Sequence, residues 1–222
     1  MNILEIDLQT DCLEETEAFY SELLGLTIVN KEENAVSFLA GLSKLTFIRS
    51  NAVNPKYHFA FNIPKNKLDE AMKWTSNRTV LIKNPEGDFV TNFDNWNARS
   101  IYFYDNNRNI LEFIARFDLE NSSNIPFDGK SIQSISEVGV VADKPLVLAE
   151  KLINENRLSY FSKGPKTKDF VVLGDDNGLI VISNPNRSWY PGKDRVEKHD
   201  LRIKVFTEKA ERQIIIRRET AN

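Results

Sequence analysis

The order of predicted elements repeats along the chain, and this repetition constrains the fold more than any single motif. Residues 2–10 alternate as a strand does, residues 13–24 carry apolar side chains at helical spacing, and short strands follow. The same order begins again near residue 57 and near residue 131. Repeated supersecondary units indicate an architecture of equivalent modules. The sequence therefore predicts three modules, the third more diverged than the others.

Local signals support the predicted helices at 13–24, 66–76 and 145–156. Glu14 and Glu15 lie in a first turn, where the helix dipole favours carboxylates, and Gly25 is placed to end that helix. Pro145 suits a first helical turn because its missing N–H costs nothing there. The remaining predicted strands are at 27–30, 35–40, 44–49, 57–64, 79–83, 88–93, 99–104, 109–115, 131–143, 169–174, 178–183 and 199–206.

A polar segment without periodicity, NSSNIPFDGK at 121–130, separates the second module from the third. It predicts a linker between a two-module domain at 1–120 and a third module with a C-terminal tail at 131–222. In the tail, QIIIRR is typical of a strand and the preceding EKAERQ of a helical turn. The sequence alone does not say which modules pair.

Composition excludes several classes of protein. With 41% hydrophobic and 27% charged residues the chain is an ordinary globular sequence, and its net charge of −3 does not suit nucleic-acid binding. The single cysteine, Cys12, rules out an internal disulfide or a cysteine metal cluster. The N-terminus lacks a signal-peptide pattern, and no apolar run is long enough to span a membrane. We therefore expect a cytoplasmic protein without nucleic-acid or membrane partners.

Glu112 interrupts an apolar strand, in ARSIYFYDNNRNILEFIAR at 98–116. Alternation places it on one face with Ile110 and Ile114. A carboxylate in such a strand needs compensation for lost hydration, either by a cation or by an ion pair with Arg99 or Arg116.

Three segments resemble the vicinal oxygen chelate superfamily, which includes glyoxalase I, extradiol dioxygenases and bleomycin-resistance proteins. They are AFYSELLGL at 18–26, HFAFNI at 58–63 and IYFYDNNRNILEF at 101–113. The last departs from the usual hairpin motif at Asn106, where proline is usual, and at Arg108, where glycine is usual. The resemblance implies an α+β fold in which paired βαβββ modules form a curved, cup-shaped mixed sheet.

The resemblance also implies a divalent metal, such as Mn, Fe, Ni or Zn, in the cup. By motif position His58 and Glu112 would be ligands, and their strand parity suits a common cup. The family's first opening strand usually supplies a histidine, which NILEIDL lacks, and Glu5 fits that position best. The implied ligand set is His58, Glu112 and Glu5. Each has an alternative interpretation: His58 as a hydrogen-bonded core or surface residue, Glu112 as part of a structural ion pair, and Glu5 as an exposed strand acid.

Four residues are candidates for substrate binding. Trp96 and Arg99 precede the closing hairpin, where related sequences carry a similar stretch, Tyr102 is an aromatic of that hairpin, and Asn62 shares a face with His58. A packed Trp96 and a solvated Arg99 are the alternative. NRSWYPG at 186–192 would be a lid or, preferably, a loop anchoring Trp189 within its own module. His199 is expected to be solvated or capping.

Three functions remain open. The first is a metal-dependent lyase, isomerase or dioxygenase-like enzyme acting on a small oxygen-rich molecule. The second is a metal-free small-molecule binder of the bleomycin-resistance type. The third is a structural member whose third module covers the cup. Folds of paired modules often share cups between subunits, so a homodimer is also implied, unless the third module substitutes for a partner.

Overall fold

Fourteen strands form one mixed sheet in the computed structural model, which describes residues 1–52 and 54–218. Three α-helices accompany the sheet in these residues: α1 (Leu13–Ala18), which continues as a π-helical turn over Phe19–Leu23, α2 (Leu68–Ser76) and α3 (Pro145–Asn156). The strands are β1 (Asn2–Thr10), β2 (Thr27–Glu32), β3 (Ala35–Ala40), β4 (Ser43–Arg49), β5 (His58–Ile63), β6 (Leu81–Ile82), β7 (Val90–Phe93), β8 (Ala98–Tyr104), β9 (Ile110–Arg116), β10 (Ser134–Val141), β11 (Phe170–Asp175), β12 (Gly178–Ser183), β13 (Leu201–Thr207) and β14 (Ala210–Ile216).

The three modules share one internal topology. In each, the opening strand pairs in parallel with the closing strand: β1 with β4, β5 with β9 and β10 with β12. A helix connects each opening strand to the strands that follow, and the parallel pairing needs such a crossover. The predicted α+β class and the modular sheet are confirmed.

The modules pair in an order that the sequence does not reveal. β5 of the second module lies antiparallel to β10 of the third, while β1 of the first lies antiparallel to β13. β1 and β10 meet at Ile3 and Ile135, so the two halves share one sheet. The second and third modules therefore form one half, and the first module and the β13–β14 hairpin form the other. The domain boundary at residue 120 stays a prediction, although β5 and β10 pair across it.

Alternation along β5 separates a packing face from a polar face. Phe59, Phe61 and Ile63 are fully buried on the side covered by α2, where Phe61 contacts Phe113 of β9. Each such phenylalanine contributes roughly 2–3 kcal/mol by leaving water. The remaining side chains of β5, including His58, are thereby directed to the opposite face.

The tail forms a β-hairpin, so the helical turn predicted over EKAERQ is wrong. Glu208 and Lys209 both have positive φ, at 46° and 64°, as a two-residue hairpin turn requires. β14 then pairs with β13 along its whole length. No helix in the described residues reaches the length and apolar character needed to cross a membrane.

Candidate metal centre and cavity

Three buried side chains meet on the polar face of β5. They are His58 at the start of β5, Glu112 in the middle of β9 and Glu137 of β10, and each offers a ligand atom within 4.8 Å of the others. Ala60 of β5 pairs with Glu112 on one side and with Glu137 on the other. Because paired residues share a face, the second and third modules jointly build this group, and we call the face that carries it the cup.

In each of these side chains, a second polar atom makes a hydrogen bond to a neighbouring group. His58 Nδ1 lies 3.0 Å from the carbonyl oxygen of Ile110, and the Ser100 hydroxyl donates to Oε1 of Glu112 at 2.5 Å. Arg116 donates to Oε1 of Glu137, also at 2.5 Å. Hydrogen bonds of this kind fix the orientation of metal ligands in proteins.

The His58 and Glu112 side chains do not form an ordinary ion pair. Burial lowers the pKa of His58 to about 4, so the imidazole is neutral near pH 7. With Nδ1–H donating to the Ile110 carbonyl, Nε2 carries a lone pair and faces Oε2 of Glu112 at 3.7 Å. At 3.7 Å the two atoms are too far apart for a hydrogen bond, whether or not Glu112 carries a proton. A cation between them could bind both atoms once Glu112 is ionised.

The two glutamates repel each other in this buried site. Burial, followed by the charge of Glu137, raises the pKa of Glu112 to about 8. Burial also raises the pKa of Glu137, against the opposing effect of Arg116. One imidazole nitrogen and two carboxylates are a donor set that suits Mn, Fe or Zn. The residues therefore fit the divalent metal that the fold implies.

A cavity of about 330 Å³ opens above the three side chains, within the size range of small-molecule sites. Its walls are mainly aromatic, and Arg187 and Ser188 of the third module also line it, Arg187 with an exposed side chain. The lining residues are His58, Phe93, Trp96, Tyr102, Glu112, Glu137, Pro165, Phe170, Val181, Arg187, Ser188, Trp189 and Tyr190.

The loop at 184–200 covers part of the cup. Trp189 packs with its ring centroid 5.3 Å from that of His58, and Gly139 of β10 leaves the space because a Cβ there would meet the indole at 2.6 Å. The Tyr190 hydroxyl lies 3.1 Å from that of Thr91 in the second module. The loop therefore spans both modules, contrary to the preferred expectation that it serves only its own.

Of the predicted ligands, the structure brings His58 and Glu112 together but not Glu5. Glu5 belongs to the other half of the sheet, where it contacts Lys44 at 2.6 Å and Arg202 at 3.3 Å. A ligand role for Glu5 beside His58 does not fit this geometry. The alternative ion pair of Glu112 does not form either, because Arg116 contacts Glu137 and Arg99 lies on another face.

The register explains why Glu5 matches the family position. A bulge between Ile3 and Glu5 where β1 faces β13 corresponds to the bulge between Ile135 and Glu137 where β10 faces β5. Glu5 therefore takes the place of Glu137, but in the other half. The same register gives the other equivalent positions. In the half that contains Glu5, Arg202 occupies the position of His58, and Gln213 occupies the position of Glu112.

Glu137 is the residue that reasoning from the sequence missed. It interrupts SISEVGVV at 134–141 just as Glu112 interrupts its own strand, and that signal was available. The sequence does not show that β5 pairs with β10, and this pairing brings Glu137 close to Glu112.

Two of the four predicted substrate-binding residues line the cavity and two do not. Trp96 and Tyr102 line the cavity. Arg99 pairs with Asn92 and Ala115, on the face of β8 opposite Ser100 and Tyr102. Asn62 lies at the far end of β5, near the side chain of Ser134 at 3.3 Å and outside the cavity lining. His199 is buried against Tyr57, not solvated, with ring centroids 5.4 Å apart.

Solved structures of known proteins share this fold. A protein from Bacillus subtilis subsp. subtilis str. 168 described as a "putative dioxygenase" superimposes with a TM-score of 0.56 at 18% identity, over 82% of this chain and 63% of that one. The V278E mutant of glyoxalase I from Zea mays gives 0.54 at 14% identity, over 82% and 67%. The chain thus has the vicinal oxygen chelate fold, as the three sequence segments predict.

The two structures are longer than this chain. The chain spans only 63% of the length of the Bacillus subtilis protein. No family model and no curated protein matches the sequence. The activities of the relatives therefore describe those proteins and not this chain.

Proposed function

We propose that this protein is a metal-dependent enzyme of the glyoxalase or dioxygenase type, acting on a small organic molecule through a divalent ion held by His58, Glu112 and Glu137. The observation that carries this proposal is the facing pair of His58 Nε2 and Glu112 Oε2 at 3.7 Å, with the buried Glu137 beside them. A divalent cation would neutralise both carboxylates and use the free lone pair of the imidazole.

The residues of the cup have separate tasks in this proposal. A metal bound here would act as a Lewis acid toward oxygen atoms of the substrate. Ile110 and Ser100 keep His58 and Glu112 oriented toward it, and Trp189 shields the imidazole from water. Mn, Fe, Ni and Zn all remain candidates for the ion.

The cavity indicates a compact, flat substrate. Its walls are formed largely by aromatic side chains, Phe93, Trp96 and Tyr190 among them, which suit stacking against a planar molecule. The carboxylates lie at the floor, and Arg187, stacked on Phe170 at 4.9 Å, offers a cation at the edge. We infer a substrate with oxygen atoms at its metal-facing end and a negative group toward Arg187.

Metal-free binding of a small molecule is the second candidate. The contact of Arg116 with Glu137 favours it, because this ion pair neutralises one of the two carboxylates without a metal. In that case the aromatic walls would bind a ligand directly, and Glu112 would remain protonated near neutral pH, since its pKa is about 8. A cytoplasmic location and a homodimer stay predictions.

Metal content separates the two candidates. We expect wild-type protein purified without chelators, or reloaded with Mn, Fe, Ni or Zn, to hold near-stoichiometric metal by elemental mass spectrometry. His58→Ala and Glu112→Ala should each lose it, while melting curves check that both variants fold. Wild-type protein that stays metal-free after reloading, yet melts at a higher temperature with hydroxylated aromatic acids, would favour the metal-free binder.

A further inference from the structure

Arg116, at the end of β9, is fully buried and reaches from the second module into the third. Its Nη2 donates to Glu137 at 2.5 Å and its Nε donates to the Ser136 hydroxyl at 3.1 Å, so two consecutive residues of β10 engage one guanidinium. Nη1 lies 3.6 Å from Asp176, and the ring of Trp96 lies 5.6 Å from the guanidinium carbon.

This placement has an energetic cost that a purely structural contact does not repay. A buried ion pair contributes little net stability, because both charges lose their hydration. Nη1 makes no hydrogen bond within the described residues, so the guanidinium is incompletely satisfied. The well-formed contacts are those to Ser136 and to Oε1 of Glu137.

We propose that Arg116 is a positioning residue that fixes Glu137 for metal binding, an inference that rests on the proposed function. With Oε1 engaged by Arg116, Glu137 has only Oε2 to offer without giving up that ion pair. A single oxygen from Glu137 keeps coordination positions open for substrate oxygens. The planar guanidinium supports this role because its two donors meet Ser136 and Glu137 together.

Manganese affinity tests this role. We expect Arg116→Gln to bind Mn(II) about 10- to 100-fold more weakly than wild type in calorimetric titrations, the usual effect of losing an outer partner of a ligand. Arg116→Lys keeps the charge but cannot reach both acceptors. Its Mn(II) affinity should therefore lie between those of wild type and Arg116→Gln. The electron paramagnetic resonance spectrum of bound Mn(II) should change in both variants, because the carboxylate is no longer held in one orientation.

Asp176→Asn is the matched control. It removes the other carboxylate near Arg116 but leaves the contacts to Ser136 and Glu137, so Mn(II) affinity should stay within about threefold of wild type. A purely structural Arg116 would instead lower thermal stability in Arg116→Gln without changing Mn(II) affinity.

The outcomes separate this inference from the proposed function. Wild-type protein that binds no Mn(II) would overturn both. Wild-type protein that binds Mn(II), with Arg116→Gln binding equally well, would overturn the role of Arg116 alone. If Arg116→Gln does not fold, Arg116→Lys decides, and wild-type affinity and spectrum in that variant would contradict the proposal.

Discussion

At the scale of single side chains, the raised pKa of Glu112 bears most directly on metal binding by the three-residue group. Burial and the neighbouring Glu137 raise its pKa to about 8, while Ser100 donates a hydrogen bond that favours the ionised form. Near neutral pH, much of the metal-free protein therefore carries a protonated Glu112. In the proposed site, a metal would have to displace this proton before the carboxylate could bind it.

Mn(II) affinity should consequently rise with pH. Below a pKa of about 8, each unit of pH should strengthen binding by up to roughly tenfold, because one proton leaves per metal bound. Above that value the dependence should flatten. Calorimetric titrations at about pH 6, 7 and 8 measure this slope, and an affinity that does not change with pH would contradict a protonated Glu112.

At the scale of elements, the turn between β8 and β9 is held in place by the hydrogen bonds of Asp105. Asp105 accepts hydrogen bonds from the Tyr20 hydroxyl, from the backbone of Asn107 and from both the backbone and the side chain of Asn109. Through Tyr20 it connects the first helical segment to the hairpin that carries Glu112. The turn uses polar contacts here in place of the proline and glycine that are usual in the family motif.

Asp105→Asn should destabilise the fold by about 1–3 kcal/mol, because its amide would direct N–H groups at groups that already donate. Denaturant unfolding at neutral pH measures the change. Asp88→Asn, in an exposed turn, is the control and should change stability by less than about 0.5 kcal/mol. Equal stabilities of the two variants would show that the Asp105 contacts contribute little.

The loop at 184–200 packs against β10 at Gly139. Because a Cβ there would meet the Trp189 indole at 2.6 Å, Gly139→Ala should cost about 1–3 kcal/mol by overpacking. In a Trp189→Ala background the same substitution should cost clearly less, since the obstructing ring is gone and only the carbonyl oxygen of His58, 3.2 Å from the added Cβ, remains close. A double-mutant cycle of unfolding free energies measures this coupling, and additive effects would contradict the packing described.

The pairing of modules is the property of the whole molecule that the sequence hides. Repeats, strand parity and motif position predict the elements and two members of the buried three-residue group, His58 and Glu112, because these signals are local. The approach of β5 to β10 depends on contacts between residues some 70 positions apart, such as Asn62 and Ser134. No local pattern records such a pairing, so the sequence does not bring Glu137 to Glu112, and it does not show that Glu5 lies in the other half of the sheet.

The other half of the sheet has the same register but a different charge pattern. Glu5 is held there by Lys44 and Arg202, and Arg202 also contacts Asp7. Cationic side chains thus neutralise these carboxylates. The two halves of the sheet are therefore built alike, but only the half with His58 has the donor set for a divalent ion among the described residues.

Titration of Mn(II) into Glu137→Gln beside Glu5→Gln tests the central claim most directly. We predict that Glu137→Gln loses at least roughly 100-fold in affinity because it removes a ligand, whereas losing an outer partner costs 10- to 100-fold. Glu5→Gln should bind as wild type does. The reverse result, with Glu5→Gln losing the metal and Glu137→Gln keeping it, would contradict a metal centre shared by the second and third modules.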